Sequence, residues 1–135
     1  MMVEIVGSFS SFSVDDVEKA RDFYAGTLGI GVAEAMGGGL DITLPGGGRV
    51  YAYPKSDHVP ATHTVLNLVV PDIGAAVASL HDAGIRTDYY PSTEEMPLDE
   101  NGIFRDPAAP AGFGMAWFKD PAGNVISVVT GPQDA

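Results

Sequence analysis

The sequence contains no cysteine, and that one absence removes disulfides, thiolate nucleophiles and cysteine-ligated zinc together. It contains no run of about 18 apolar residues, the length a membrane-spanning helix requires. It is also poor in positive charge, with 7 Lys and Arg against 18 Asp and Glu and a net charge of −11. A field of that sign repels phosphate backbones and anionic lipid, so neither nucleic acid nor a membrane surface is expected as a partner. Solubility is the first use of such a charge, and a pull on cationic ligands follows from the same field. The opening residues, Met1 to Ser8, hold neither a basic segment nor a long apolar one, so no secretory signal is expected. Together with the missing cysteine, this points to the cytoplasm.

What is present describes a globular chain. Hydrophobic residues make up 45% and charged residues 19% of the 135 positions, enough apolar matter to bury a core. The stretch from Glu4 to Val14 reads as a strand, with Phe12 and Val14 on one face and Ser11 and Ser13 on the other. Asp15 or Asp16 then caps a helix, and Asp15 with Glu18 has the spacing of a capping box. Val17, Ala20, Tyr24 and Leu28 make its apolar stripe, and Gly29 sits where it should stop. Leu40 to Leu44 and Arg49 to Tyr53 alternate as strands around the turn Pro45-Gly46-Gly47-Gly48, and Pro54 to Pro60 reads as a linker.

A second round follows. Thr64 to Val70 is a strand, Asp72 caps a helix with Ile73, Ala76, Val77 and Leu80 as its buried stripe, and Gly84 ends it. Thr87 to Tyr90 is a candidate short strand. Pro91 to Gly114, with Pro91, Pro97, Pro107 and Pro110, is a long loop of the kind that serves as a lid or a dimer contact. Met115 to Lys119 and Val125 to Thr130 are the last strands, joined by the turn Asp120-Pro121-Ala122-Gly123-Asn124. Val14-x-Asp16 with Ala20 recurs as Val70-x-Asp72 with Ala76, which indicates two similar modules.

The run Val14-Asp15-Asp16-Val17-Glu18-Lys19-Ala20-Arg21-Asp22-Phe23-Tyr24 with Leu28-Gly29 resembles the first-module signature of the glyoxalase/bleomycin-resistance/extradiol-dioxygenase (vicinal oxygen chelate) superfamily. Val70-Pro71-Asp72 through Leu80 with Ala83-Gly84 resembles its second-module helix, and Asp120 to Asn124 its closing turn. The resemblance implies an α+β fold in residues 1–135, with module one at about 4–60 and module two at about 61–131. Each module would have the order βαβββ, and the two would pair into a cupped, partly closed mixed sheet with the helices outside.

The same resemblance locates the family's metal ligands, and this chain departs from them. The corresponding places hold Phe9, Val65 and Ser127, with Tyr51 and Tyr53 on the strand that supplies a further ligand. Phenylalanine and valine cannot bind a divalent ion, and serine and tyrosine replace His and carboxylate poorly. No metal and no other cofactor is therefore expected.

The residues expected to share the face of Phe9 and Val65 are Ser11, Ser13, Asp41, Thr43, Tyr51, Tyr53, His63, Asn67, Met115, Trp117, Ser127 and Val129. Aromatic walls with a few hydroxyl and amide groups suit an organic ligand, and suit a filled barrel interior equally. Phe9, Ser11, Tyr51, Tyr53, His63, Val65, Asn67, Trp117 and Ser127 are the ligand-binding candidates. His63 is also the candidate base, although a polar residue at a barrel mouth explains it as well. His58 falls in the linker and His81 at a solvated helix end. Glu94 and Glu95 belong to an exposed acidic loop. Neither glycine triplet, Gly37 to Gly39 or Gly46 to Gly48, has the flanks of a phosphate loop, and no G-x-S-x-G elbow occurs.

The leading expectation is a metal-independent protein that binds and sequesters a small organic ligand, a cationic one by charge. It resembles the antibiotic-sequestering members of the superfamily, which are homodimers with ligand grooves between chains, so a homodimer is expected. The alternative is a lyase, isomerase or dioxygenase using ligands from unusual places, such as His63 with Glu94 or Asp41, or using His63 as a base. A third reading is a closed domain that only binds a protein partner.

Overall fold

The computed structural model describes residues 2–106, 108–109 and 113–130. Pro107 and Pro110 of the expected loop, and the expected module end at residue 131, lie outside them. The chain divides into two compact units, Met1–Pro60 and Ala61–Ala135. Among the described residues, two α-helices and seven strands form an α+β fold with two mixed sheets, neither closed into a barrel.

The first unit runs β1 (Ser10–Val14), α1 (Val17–Arg21), β2 (Gly31–Glu34), β3 (Leu40–Thr43) and β4 (Arg49–Pro54). Its sheet order is β1-β4-β3-β2, with β1 and β4 parallel and the other pairs antiparallel. Asp16 caps α1, its carboxylate accepting from the Lys19 N–H at 3.1 Å. No capping box forms at Asp15, because the cap is Asp16 and Lys19 takes the position a capping-box Glu would need; Glu18 pairs with Arg21 at 2.7 Å. After one turn the helix widens into a π-helical segment, Asp22–Thr27, where the Leu28 N–H reaches back to the Phe23 carbonyl at 2.9 Å. The widening keeps Ala20 and Tyr24 buried while Leu28 is only half-buried. Tyr24 meets Phe12 of β1, ring centroids 6.0 Å apart. Phe12, Val14, Leu40, Ile42, Val50 and Ala52 fill this side of the sheet.

The expected first strand is shorter than Glu4 to Val14. In the parallel ladder Ser10 faces Val50, and upstream of Arg49 the partner has turned into the Pro45–Gly48 connection, so earlier residues find no ladder. Residues 2–9 are exposed and outside any strand. Strand β2 is not expected from the sequence, since Gly31-Val32-Ala33-Glu34 is too short and too mixed to show a period.

The second unit runs β5 (Thr64–Val69), α2 (Ile73–Asp82), β6 (Met115–Lys119) and β7 (Val125–Val129), in sheet order β5-β7-β6. Asp72 caps α2 as Asp16 caps α1, accepting from the Ala75 N–H at 3.0 Å. Ile73, Val77 and Leu80 are the buried stripe of α2, which packs against β6 and β7. Leu66, Ala116, Phe118, Ile126 and Val128 are buried with them. Among the described residues the second unit has three strands where a full βαβββ module has four, and Thr87 to Tyr90 is not one of them. The place beside β6 is taken by Phe104, which exchanges backbone bonds with Met115 at 2.8 and 2.9 Å. Phe104 in turn bridges to Leu98, so the long loop folds into a small turn around Asp99 rather than running free.

Candidate functional site

In the first unit the face of the sheet opposite the apolar core carries the polar candidates. The registers Ser11–Tyr51–Asp41 and Ser13–Tyr53 place these side chains in rows across β1, β4 and β3. Tyr51 and Tyr53 stack, with centroids 5.9 Å apart and planes at 22°. The Tyr51 hydroxyl donates to the Met36 carbonyl at 2.8 Å, and its ring lies over Gly39. A β-carbon at Gly39 would stand 2.7 Å from the Tyr51 ring and 2.5 Å from the Ala52 carbonyl oxygen. The glycine therefore sets where the tyrosine sits. Ser11 is exposed, and Ser13, Asp41, Tyr51 and Tyr53 are half-buried. Phe9 precedes β1, is 60% exposed, and has the Arg49 guanidinium 5.6 Å above its ring.

In the second unit Asn67, Ser127 and Trp117 stand in register across β5, β7 and β6. The Ser127 hydroxyl donates to the Asn67 Oδ1. Asn67 is exposed, so its NH₂ group remains as a donor on this face. Trp117 and Ser127 are buried, and Tyr90 stands edge-on to Trp117 with centroids 5.9 Å apart. Val65 and His63 lie at an irregular place: the register passes from Thr64 opposite Val125 to Leu66 opposite Ile126, leaving Val65 as an extra residue. A bulge of this kind breaks the alternation on which the grouping of His63 with Asn67 rested. His63 itself is exposed, one residue before β5 begins.

The chemistry of the donors does not suit a divalent metal. Phe9 offers a ring under a guanidinium, Val65 a hydrocarbon, and Ser127 a hydroxyl already bonded to an amide. Among the described residues no three His or carboxylate side chains are placed together to hold an ion.

Three features depart from the pattern expected of the sequence: the place of His58, the surroundings of Tyr89, and a cleft beside His81. His58 leaves its expected role as a linker residue: its Nδ1 lies 2.6 Å from Ser13 Oγ, a pairing no local spacing could signal. Tyr89, in the candidate strand Thr87 to Tyr90, instead has Arg86 at 4.6 Å and Lys119 at 4.8 Å from its ring centroid. A cleft of about 380 Å³ in the second unit has His81, Arg86, Thr87, Asp88, Glu100 and Asn101 in its wall. Thr87 is buried there and donates to the Asn101 carbonyl at 2.6 Å. A hydroxyl has one proton, so His81 must donate to Thr87 through Nε2 over their 2.8 Å contact. The expected solvated His81 is thus exposed yet tethered.

Hydrogen bonding shifts the titration of several exposed groups. Hydrogen bonding to Lys55 holds Asp57 below the usual carboxylate range, and Arg86 does the same for Asp88. Hydrogen bonding to Glu18 and to Asp88 raises Arg21 and Arg86 respectively. None of these groups lies on either sheet face described above.

The model of the Glyoxalase/Bleomycin resistance protein/Dioxygenase superfamily matches residues 6–128. No curated protein matches the chain. Among solved structures, a genomically encoded fosfomycin resistance protein, FosX, from Listeria monocytogenes superposes with a TM-score of 0.66 at 11% identity, covering 98% of each chain. A putative glyoxalase family protein from Bacillus anthracis gives 0.65 at 19% identity, over 97% of this chain and 100% of that one. TnmS3, an antibiotic binding protein from Streptomyces sp. CB03234, gives 0.62 at 23% identity, over 96% and 100%. At such identities the likeness carries the fold and no more.

Proposed function

This chain belongs to the Glyoxalase/Bleomycin resistance protein/Dioxygenase superfamily, and from that premise we propose that it binds and sequesters a small organic ligand, a cationic aromatic one by preference, without a metal. The observation that carries this reading is the stacked Tyr51–Tyr53 pair, fixed over Gly39 and flanked by Ser11, Ser13 and Asp41. An aromatic platform with a few orienting polar atoms is how organic-ligand sites are built. The ring faces and the Asp41 carboxylate attract positive charge, and so does a chain of net charge −11. On its own sheet face the second unit carries an amide donor at Asn67, with Ser127 between it and Trp117 in one register row. Phe9, Val65 and His63 enter this reading only as flanking contacts. That TnmS3 is an antibiotic binding protein and FosX a fosfomycin resistance protein supports a small organic ligand over a protein partner.

The protein acts, in this reading, as a cytoplasmic homodimer. No helix among the described residues is long and apolar enough to cross a membrane, and light scattering at micromolar concentration reads the dimer directly.

The reading is tested by thermal shift against a panel of cationic, neutral and anionic aromatic compounds. Cationic members should raise the melting temperature most, by mass action on the folded state. Tyr51→Ala should reduce that rise. A panel without any shift would remove the binding reading. A shift produced by divalent ions alone would replace it with the alternative, a metal-dependent lyase, isomerase or dioxygenase.

A further inference from the structure

We propose that Ser13 and His58 form a nucleophile–base pair, and that the first unit's polar sheet face hydrolyses an activated ester. Hydrolysis goes beyond ligand binding, although Ser13 and Tyr53 also belong to the platform that Tyr51 and Tyr53 form.

The pair is built by backbone, not by chance contact of two long side chains. At the end of β1 the Val14 carbonyl accepts from the Lys55 N–H at 3.0 Å, which ties the segment after β4 to the strand that carries Ser13. The Lys55 carbonyl accepts from the His58 N–H at 3.1 Å, closing a turn that swings the imidazole back onto β1. The result is Ser13 Oγ at 2.6 Å from His58 Nδ1, with both residues half-buried. A hydroxyl within hydrogen-bond reach of an imidazole nitrogen is the arrangement that activates a serine. With the ring proton on Nε2, Nδ1 is the acceptor and the hydroxyl donates to it.

A third group stands in register. Tyr53 lies directly across from Ser13 in the parallel β1–β4 ladder. Its ring is held by Tyr51, and among the described residues no hydrogen bond engages its hydroxyl. A phenol is a competent donor to charge that develops on a carbonyl oxygen. The neighbouring charges are Lys55 and Asp57, which pair with each other, and Arg49 and Asp41 farther along β4 and β3.

The step balances with water as the only co-reactant. Ser13 Oγ bonds to the ester carbonyl carbon while its proton passes to His58 Nδ1 and the carbonyl π pair moves to oxygen, near Tyr53. The tetrahedral species expels the alcohol, which leaves with the proton from His58, and Ser13 is acylated. Water then attacks the acyl group, gives a proton to His58, and the acid departs as Ser13 recovers its hydroxyl proton. Ester and water give acid and alcohol.

The alternative is that the Ser13–His58 bond only fastens the turn to the strand. Both are tested with p-nitrophenyl acetate on the intact protein. The expected result is phenolate release above buffer, an acetyl group on the Ser13 peptide by mass spectrometry, and loss of both in Ser13→Ala. His58→Ala should slow release about 100-fold, within the range general-base removal costs, and added imidazole should restore part of it. Tyr53→Phe should slow release about 10-fold. Acetyl found only on lysines would overturn the proposal. So would a His58→Ala protein with native circular dichroism that releases phenolate as fast as the parent, or that imidazole fails to rescue. If Ser13→Ala does not fold, the site of acetylation in the native protein decides the matter alone.

Discussion

A single missing β-carbon decides where the aromatic platform sits. Gly39 has an ordinary negative φ of −91°, so its necessity is one of space: any side chain there meets the Ala52 carbonyl and the Tyr51 ring. Gly39→Ala should cost about 1–3 kcal/mol, the usual penalty of overpacking, and should change the near-ultraviolet circular dichroism as Tyr51 moves. An unchanged spectrum would mean the ring does not rest there. The closing turn depends in the same way on one carboxylate. Asp120 is buried and accepts from the Ala122 and Asn124 N–H groups, both at 2.9 Å, and from the Asn124 side-chain amide at 3.1 Å. Asp120→Ala strands buried donors and should lower the unfolding free energy by about 3 kcal/mol in urea titration. A loss below about 1 kcal/mol would contradict that role. The exposed carboxylates differ in weight. Asp57 and Asp88 have lowered folded pKa values, so what they add is present above the unfolded carboxylate range and is lost as pH falls through the folded one. Full exposure keeps that contribution small.

Among the elements, those with a cap and a period were legible. Asp16 and Asp72 both sit in extended backbone, at φ −142° and −144°, and both accept from the N–H three residues on. The repeat read from Val14-x-Asp16 and Val70-x-Asp72 is thus a repeat of capping chemistry. Asp72→Ala should destabilise the protein by about 1 kcal/mol, with Asp72→Ser recovering most of it in the same urea titration; equal losses in both would show that the cap is not the cause. Elements defined by their partners were not legible. Strand β1 begins only at Ser10 because its parallel partner β4 begins at Arg49, and nothing within residues 4–9 announces that. Thr87 to Tyr90 has strand-like composition, but its side chains are spent on His81, Asn101, Arg86 and Lys119, while Phe104 pairs with β6 instead. The candidate faces divide likewise. Alternation gave Ser11, Tyr51, Tyr53, Asn67, Trp117 and Ser127 their sides of the two sheets. It could not foresee the extra residue at Val65, or His58 reaching Ser13 from a sequence distance of 45 residues.

At the scale of the whole molecule charge is the dominant long-range term. Three exposed ion pairs, Arg21–Glu18, Lys55–Asp57 and Arg86–Asp88, are too solvated to offset the mutual repulsion behind a net charge of −11. Raising salt to about 0.5 M should therefore raise the melting temperature at neutral pH; a fall would mean that the pairs outweigh the repulsion. The same charge is the physical reason for expecting a cationic ligand, and the family membership is the reason for asking about metal. One measurement is decisive: a cationic aromatic compound from the thermal-shift panel is titrated into the protein in a calorimeter, with and without a strong chelator. Saturable binding with the same Kd in both titrations is expected. Binding that vanishes with chelator and returns with a divalent ion would overturn the metal-free reading.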